Sequence, residues 1–433
     1  MLGYYLQLAL RSFRRNKVLT ALMVLTIGVG IGAAMTTLTV YHVLSGDPIP
    51  DKSARLFYPR LEPRTLGRDT NLEQEPPQQL TRFDAEELLR QKRGKRQALM
   101  SAGSLTLLPE GQIAQAMRAQ ARYTSADFFA MFDVPLSSGN AWSAADDEAR
   151  ARVAVIGHKL ATKLFGDANP VGRDLHLPQG VLRVVGVIDE WKVNPRFYDL
   201  SSRHFGGEEQ VFLPFSTSLD LRLSTQGSLM CWGDNLRPMA LNAPCAWVQY
   251  WVELESPADA ADYRKYLADY SDQQRANGRF ERPTNVRLHD VMDWLDYNRV
   301  VPNDVRMQMW LAFGFLLVCL LNTVGLLLAK FLRRSGEIGI RRSLGASRRD
   351  IFKQCLTEAG SIGLSGGVLG LGFALLGLWL IRQQPDSYAQ LAHLDLPTLL
   401  LTFALALFSS LLAGVLPAWR AMQVAPALQL KSQ

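Results

Sequence analysis

The stretch that decides the fold begins at Met307 with MQMWLAFGFLLVCLLNTVGLLLA and continues from Lys330 as KFLRRSGEIGIRRSLGASRRDIFKQ, ending at Gln354. Residues 307–329 contain no Asp, Glu, Lys or Arg. At about 1.5 Å per residue such a helix crosses roughly 30 Å of hydrocarbon. Eight Lys and Arg then crowd into residues 330–354, with only Glu337 and Asp350 against them. Working outward, residues 18–43, 359–381 and 396–419 are also free of charge and long enough to span. The chain has 433 residues, 48% of them hydrophobic, and its mean hydropathy is near zero. That average conceals strong segregation. A simple soluble protein and a disordered chain are both excluded.

The net charge of +7 segregates as well. Segments 1–17, 330–354 and 417–433 together hold 14 Lys/Arg and two acids, leaving 33 basic and 38 acidic residues elsewhere. Basic excess beside spans sets their orientation, so the charge implies a membrane topology and no nucleic-acid surface. Arg11, Arg14, Arg15 and Lys17 keep segment 1–17 in the cytoplasm. The expected layout is a first span at 18–43, an extracytoplasmic region at 44–306 and a second span at 307–329. An inner loop at 330–355, a third span at 356–381 and a short outer loop at 382–395 follow. A fourth span at 396–419 and a cytoplasmic tail at 420–433 complete it. The first apolar run is about twice the length of a signal-peptide core, so it reads as a retained span.

The fold class expected is thus an integral membrane protein of four transmembrane α-helices with a large α+β extracytoplasmic domain inserted between helices 1 and 2. In that domain, residues 82–92, 158–165 and 259–275 read as helices. Residues 153–156, 182–188 and 246–254 read as strands, and the mixture suggests two lobes. Leu288, Val291, Met292 and Leu295 lie at helical spacing, so 286–296 reads as a helix re-entering the membrane. Cys231 and Cys245, both on the outer side, suit a disulfide, with two free thiols as the alternative.

Enzyme-like spellings do not hold up. Residues 46–53, GDPIPDKS, lack the glycine before Lys52 and follow a span rather than a strand, so they make no phosphate loop. Residues 363–367, GLSGG, match a hydrolase elbow in letters, with Ser365 as its nucleophile, but fall inside a span that also has glycines at 360, 370 and 372. Glycines four apart let helix backbones approach closely, a reading that covers Gly28 with Gly32 and Gly363 with Gly367. Asn322, the main polar group of the second span, is read as a helix-packing residue, and Glu358 as a helix contact at the inner edge of the third. The six histidines are scattered and suggest no metal site.

The inner loop is the most informative segment. Ile338, Leu344, Ile351 and Phe352 interrupt its charges, giving an interfacial helix with an apolar side. It suits either a membrane surface with anionic lipid or a docking partner. Residues 322–360, NTVGLLLAKFLRRSGEIGIRRSLGASRRDIFKQCLTEAG, resemble the permease subunits of the MacB/FtsX-type (type VII, mechanotransmission) ABC transporter family. The N-terminal LALRSFRRNKVLTALMVLTIGVGIGAA resembles that family's first span. VAVIGHKLATKLFGDANPVG and LRVVGVI resemble its extracytoplasmic domain, and LPAWRAMQVAPALQL its C-terminal end.

The resemblance implies a coupling helix that contacts an ATPase, with Glu337, Gly339, Arg341, Arg342, Gly345, Ala346 and Asp350 at the matching positions. It implies a dimer, with a second copy or a related permease, bound to two cytoplasmic ABC ATPase subunits as separate chains. This chain itself binds no cofactor; ATP and Mg act through the ATPase. A bacterial inner-membrane location and movement of the outer domain by ATP hydrolysis go with the resemblance. Efflux of peptides or antibiotics, with a periplasmic adaptor and an outer-membrane channel, is the first expectation. Lipoprotein extraction or cell-wall hydrolase regulation is the alternative. An intramembrane serine protease using Ser365 is the reading from a different class.

Overall fold

The charge-free runs become long helices. The computed structural model describes residues 17–66, 75–108, 116–201, 204–205, 207–233, 237–383 and 396–423. The basic segment 1–16, most of the 382–395 loop and the tail beyond 423 lie outside the described residues. The chain forms two compact units, Gly46–Val300 and Met1–Ser45 with Val301–Gln433.

The second of these holds four helices long and apolar enough to cross a membrane. They are α1 (Lys17–Ser45), α9 (Asn303–Arg333), α11 (Arg348–Arg382) and α12 (Leu396–Met422), with the short α10 (Ser335–Ser343) between α9 and α11. α11 packs between α1 and α12, and α9 touches both of those. Small residues permit this. A methyl group on Gly32 would sit 2.6 Å from Phe373 Cβ and 3.1 Å from the Gly370 carbonyl oxygen. One on Gly28 would press on Leu369, and one on Gly367 would meet Ala406 Cβ at 2.8 Å. At Gly363 it would collide with Ser410. Gly28 and Gly32 thus serve the α1–α11 contact, while Gly363 and Gly367 serve α11–α12.

Asn322 does not pack within this chain. The buried register of α9 runs Leu316, Cys319, Thr323, Leu327, Lys330. Each residue turns the helix by about 100°, so the neighbour of Thr323 falls on the exposed side, and Asn322 is exposed.

In Gly46–Val300 the strands are β1 (Leu56–Arg60), β2 (Leu80–Thr81), β3 (Arg96–Leu107), β4 (Met117–Thr124), β5 (Leu136–Gly139) and β6 (Val153–Gly157). They continue as β7 (Asp174–Leu177), β8 (Gly180–Ile188), β9 (Val211–Pro214), β10 (Thr225–Gln226), β11 (Met230–Cys231), β12 (Cys245–Glu253) and β13 (Arg287–Asp290). Among them lie α2 (Arg82–Gln91), α3 (Asp127–Met131), α4 (Ala144–Glu148), α5 (His158–Phe165), α6 (Phe215–Asp220), α7 (Pro257–Ala276) and α8 (Val291–Tyr297). The main ladder runs β13-β1-β12-β3-β4-β9-β6-β8-β5, with β4–β9 and β6–β8 parallel and the other neighbours antiparallel. The strands of the whole 46–300 region join in this one mixed ladder.

β12 is buried at all nine residues: strands pair along both edges, Phe215 stacks on Trp247, and Tyr58, Phe132 and Phe197 pack on Trp251. Two of its polar side chains are paired: Gln249 donates to Ser201 Oγ at 3.1 Å, and Glu253 accepts from Arg96 at 2.7 Å. α7 starts where Ser256 caps the Asp259 amide and Pro257 occupies the first turn. It buries Tyr263, Leu267, Tyr270, Ser271 and Gln274 on one face.

The stretch read as a membrane-re-entering helix is different. Residues 287–290 pair with β1, and 291–297 form the two-turn α8, capped by Asp290. Val291, Trp294 and Leu295 are buried, and Trp294 stacks on Tyr58 at 4.1 Å. The apolar spacing was real, but it faces this unit's own sheet. Cys231 and Cys245 stand opposite each other on β11 and β12 and are joined by a disulfide.

Candidate functional site

The residues from Lys330 to Glu358 form a helix–helix–helix hairpin whose corners are fixed by local chemistry. α10 ends in a Schellman turn: Gly345 has φ +101°, its N–H donates to Arg342 O, and the Ala346 N–H donates to Arg341 O. Glycine meets that left-handed requirement at little cost. Two residues later Ser347 and Asp350 form a reciprocal capping box that starts α11. Gly345, Ala346 and Asp350, expected at an ATPase contact, therefore shape the turn. Gly339 is buried beside Ile338 on the inward face of α10. Arg342 approaches the Met422 carbonyl at 3.5 Å, near the C-terminal end of α12.

A chain of charges lies behind α10. Lys330 Nζ is 2.7 Å from Glu358 Oε1, with the two side chains 0% and 4% exposed. Lys330 also donates to Thr20 Oγ1 on α1 at 3.3 Å. The other Glu358 oxygen accepts from Arg334 at 3.1 Å. Arg334 is also 3.3 Å from Glu337, which accepts from Arg341 at 3.2 Å. Arg341 reaches across to Gln354 on α11 at 3.1 Å. A buried ion pair has little net effect on stability, but removing one partner leaves an unpaired charge costing about 3–5 kcal/mol.

Sequence reasoning assigned Glu337 and Arg341 to an outside partner; here they pair with each other and with the hairpin. What faces outward is apolar: Ile340 is 55% exposed and Leu344 83%. Arg348 and Arg349 are exposed beside them. Ile340 was missed, although its two-residue offset from Ile338 carried the signal that the two cannot share a helix face.

Ser365 lies within continuous helix, with no strand or turn to present it, and its hydroxyl donates to the Ser361 carbonyl at 3.0 Å. Among the described residues, no cluster of three His, Cys, Asp or Glu could hold a metal.

In Gly46–Val300 a cleft of about 540 Å³ is lined by Arg82, Glu86, Phe215, Asp220, Arg222 and Asp147, among others. Burial pushes the Asp147 carboxyl up to about 6, against the hydrogen bonds it accepts from the Ala126 amide and the Trp142 indole.

Residues 20–270 match the profile of the MacB-like periplasmic core domain, and residues 309–426 that of the FtsX-like permease C-terminal domain. The macrolide export ATP-binding/permease protein MacB of Marinobacter nauticus is 27% identical over 440 residues, covering 99% of this chain and 60% of that protein. The pyoverdine export ATP-binding/permease protein PvdT of Pseudomonas fluorescens is 27% identical over 311 residues, covering 71% of this chain and 42% of that protein. Among solved structures, the periplasmic region of MacB from Actinobacillus actinomycetemcomitans aligns with TM-score 0.35 and 14% identity. That match covers 56% of this chain and 92% of that one. The chain spans about half the length of the curated relatives it matches.

Proposed function

Because this chain belongs to the MacB/FtsX family of ABC transporter permeases, we propose that it couples ATP hydrolysis by a separate cytoplasmic ATPase to movement of its 46–300 domain. In this reading it is a multi-pass protein of the bacterial inner membrane, with both termini cytoplasmic and 46–300 in the periplasm. The cargo class is a small exported compound such as a peptide or antibiotic. The names of the relatives, macrolide export and pyoverdine export, support export as the direction.

One observation carries the coupling: the Arg334–Glu358 ion pair and the Arg341–Gln354 hydrogen bond tie α10 to α11 while Ile340 and Leu344 face outward. Exposed apolar side chains ringed by arginines suit a groove with an acidic rim better than open water. A force on that face meets helices braced against one another, and an intact helix transmits displacement along its length.

The test replaces Ile340 and Leu344 together by Glu. Both positions are exposed, so the bundle should insert and fold normally. Co-purification with the partner ATPase should be lost, and with it stimulated hydrolysis. Gly345→Trp is a separate probe of the turn itself: a Cβ there meets nothing within 4 Å, but the left-handed φ of +101° strains any side chain. Wild-type complex yield in both variants would leave α10 as a lipid-facing surface helix.

A further inference from the structure

Among the described residues, Lys330 and Glu358 are the only fully buried charged side chains of the spanning unit. They do not line a path: Glu358 spends its two oxygens on two cations one helical turn apart, Lys330 near the end of α9 and Arg334 at the α9–α10 corner. Lys330 extends the link to Thr20 on α1, and Arg341 ties the far half of α10 to Gln354. Phe331, Ile338, Ile351 and Cys355 pack around these groups and belong to the buried core of the bundle.

We propose that Glu358 is a positioning residue, a pin that locks α10 to the feet of α9 and α11 so that the three move as one rigid crank. Two features of the geometry support a pin rather than a flexible joint. A carboxylate shared by two cations in a poorly hydrated site loses attraction steeply when either withdraws, since water cannot replace it. The attachments also occur at both ends of α10 and on its inward face, leaving no free swing about a single corner. In the setting of the function proposed above, a push on Ile340 and Leu344 then reaches α9 and α11 together instead of being absorbed at the turns.

The experiment places nitroxide labels at Ser343→Cys on α10 and Val368→Cys on α11, both exposed, and measures their distance distribution by pulsed electron resonance in nanodiscs. In the permease alone, the pinned form should give a narrow distribution, and Glu358→Gln should broaden it. An unchanged width in Glu358→Gln would overturn the proposal.

Because that variant strands Lys330, a second, Lys330→Met/Glu358→Gln, removes both buried charges. It should fold like the wild type yet remain broad, since Arg334 has lost its anchor. A return to the narrow distribution would show that the pair only avoids an unpaired charge, and would also overturn the pin. A third arm adds the ATPase with ATP and vanadate: the pinned distance should stay constant, and a nucleotide-driven shift would refute the rigid crank. Failure of the ATPase to bind would instead count against the coupling function, leaving the first two arms to decide the pin.

Discussion

Exchanging Gly32 for alanine tests whether the α1–α11 crossing is set by backbone proximity. The added methyl would stand 2.6 Å from Phe373 Cβ and 3.1 Å from the Gly370 carbonyl oxygen. Neither neighbour can rotate away, because a Cβ and a carbonyl move only with their backbone. The two helices must separate, and overpacking of this kind costs about 1–3 kcal/mol. Alanine also favours helix over glycine by about 1 kcal/mol, which would blur a single measurement. Gly372→Ala removes that ambiguity. It lies in α11 with nothing within 4 Å of the new methyl, so it carries the propensity gain without the clash. The difference between the variants isolates the contact, and Gly32→Ala should be the less stable by about 1–3 kcal/mol. Equilibrium unfolding in mixed micelles would read it. Stabilities equal to within about 0.5 kcal/mol, the usual spread for harmless surface changes, would refute close approach as the basis of this packing.

Alkylation of the unreduced protein should leave Cys231 and Cys245 unmodified by mass spectrometry, and their loop closure should stabilise by about 3 kcal/mol; full labelling of both contradicts the pairing. Ser365→Ala should support growth of a deletion strain as well as the wild type, since its hydroxyl bonds only within its own helix. Loss of complementation with normal assembly would restore the nucleophile. Burial makes Asp147 hold its proton more tightly in the folded state than in the unfolded chain, with a pKa of about 6 against an ordinary 3.8. Its contribution is therefore most favourable below pH 3.8 and declines as pH rises toward 6. Pulse proteolysis of the intact protein in urea at several pH values should show this slope in the wild type and lose it in Asp147→Asn.

The spans were legible because hydrocarbon tolerates so few charges that their absence over twenty residues has one reading. Several outer elements were legible too: α5 and the start of β6 fall where the apolar spacing placed them. The errors share a cause. Asn322 and Thr323 are neighbours in sequence, and only the partner helices decide which of the two faces inward. Residues 286–296 have a true apolar face, but its target, Tyr58 on β1, is more than two hundred residues away in sequence. The charged loop was recognisable as a lever, but the pairing of Glu337 and Arg341 within the hairpin was not. Arg334, Glu337 and Arg341 are three and four residues apart on one helix, but Gln354 and Glu358 on α11 become their neighbours only once the turn at 344–347 folds the chain back.

The pairing of β1 with β13 bears on how the 46–300 domain resists pulling. Phe57, near the start of β1, is opposite Asp290, the last residue of β13, and Arg60 is opposite Arg287. The chain enters and leaves this pair at the same end. Tension between those two ends would peel the ladder open one rung at a time from Phe57–Asp290, instead of shearing all rungs together. α8 stands between β13 and the exit, with Trp294 stacked against Tyr58 and Tyr297 hydrogen-bonded to Arg60. It acts as a cleat, taking the load on an aromatic stack before any rung of the sheet feels it.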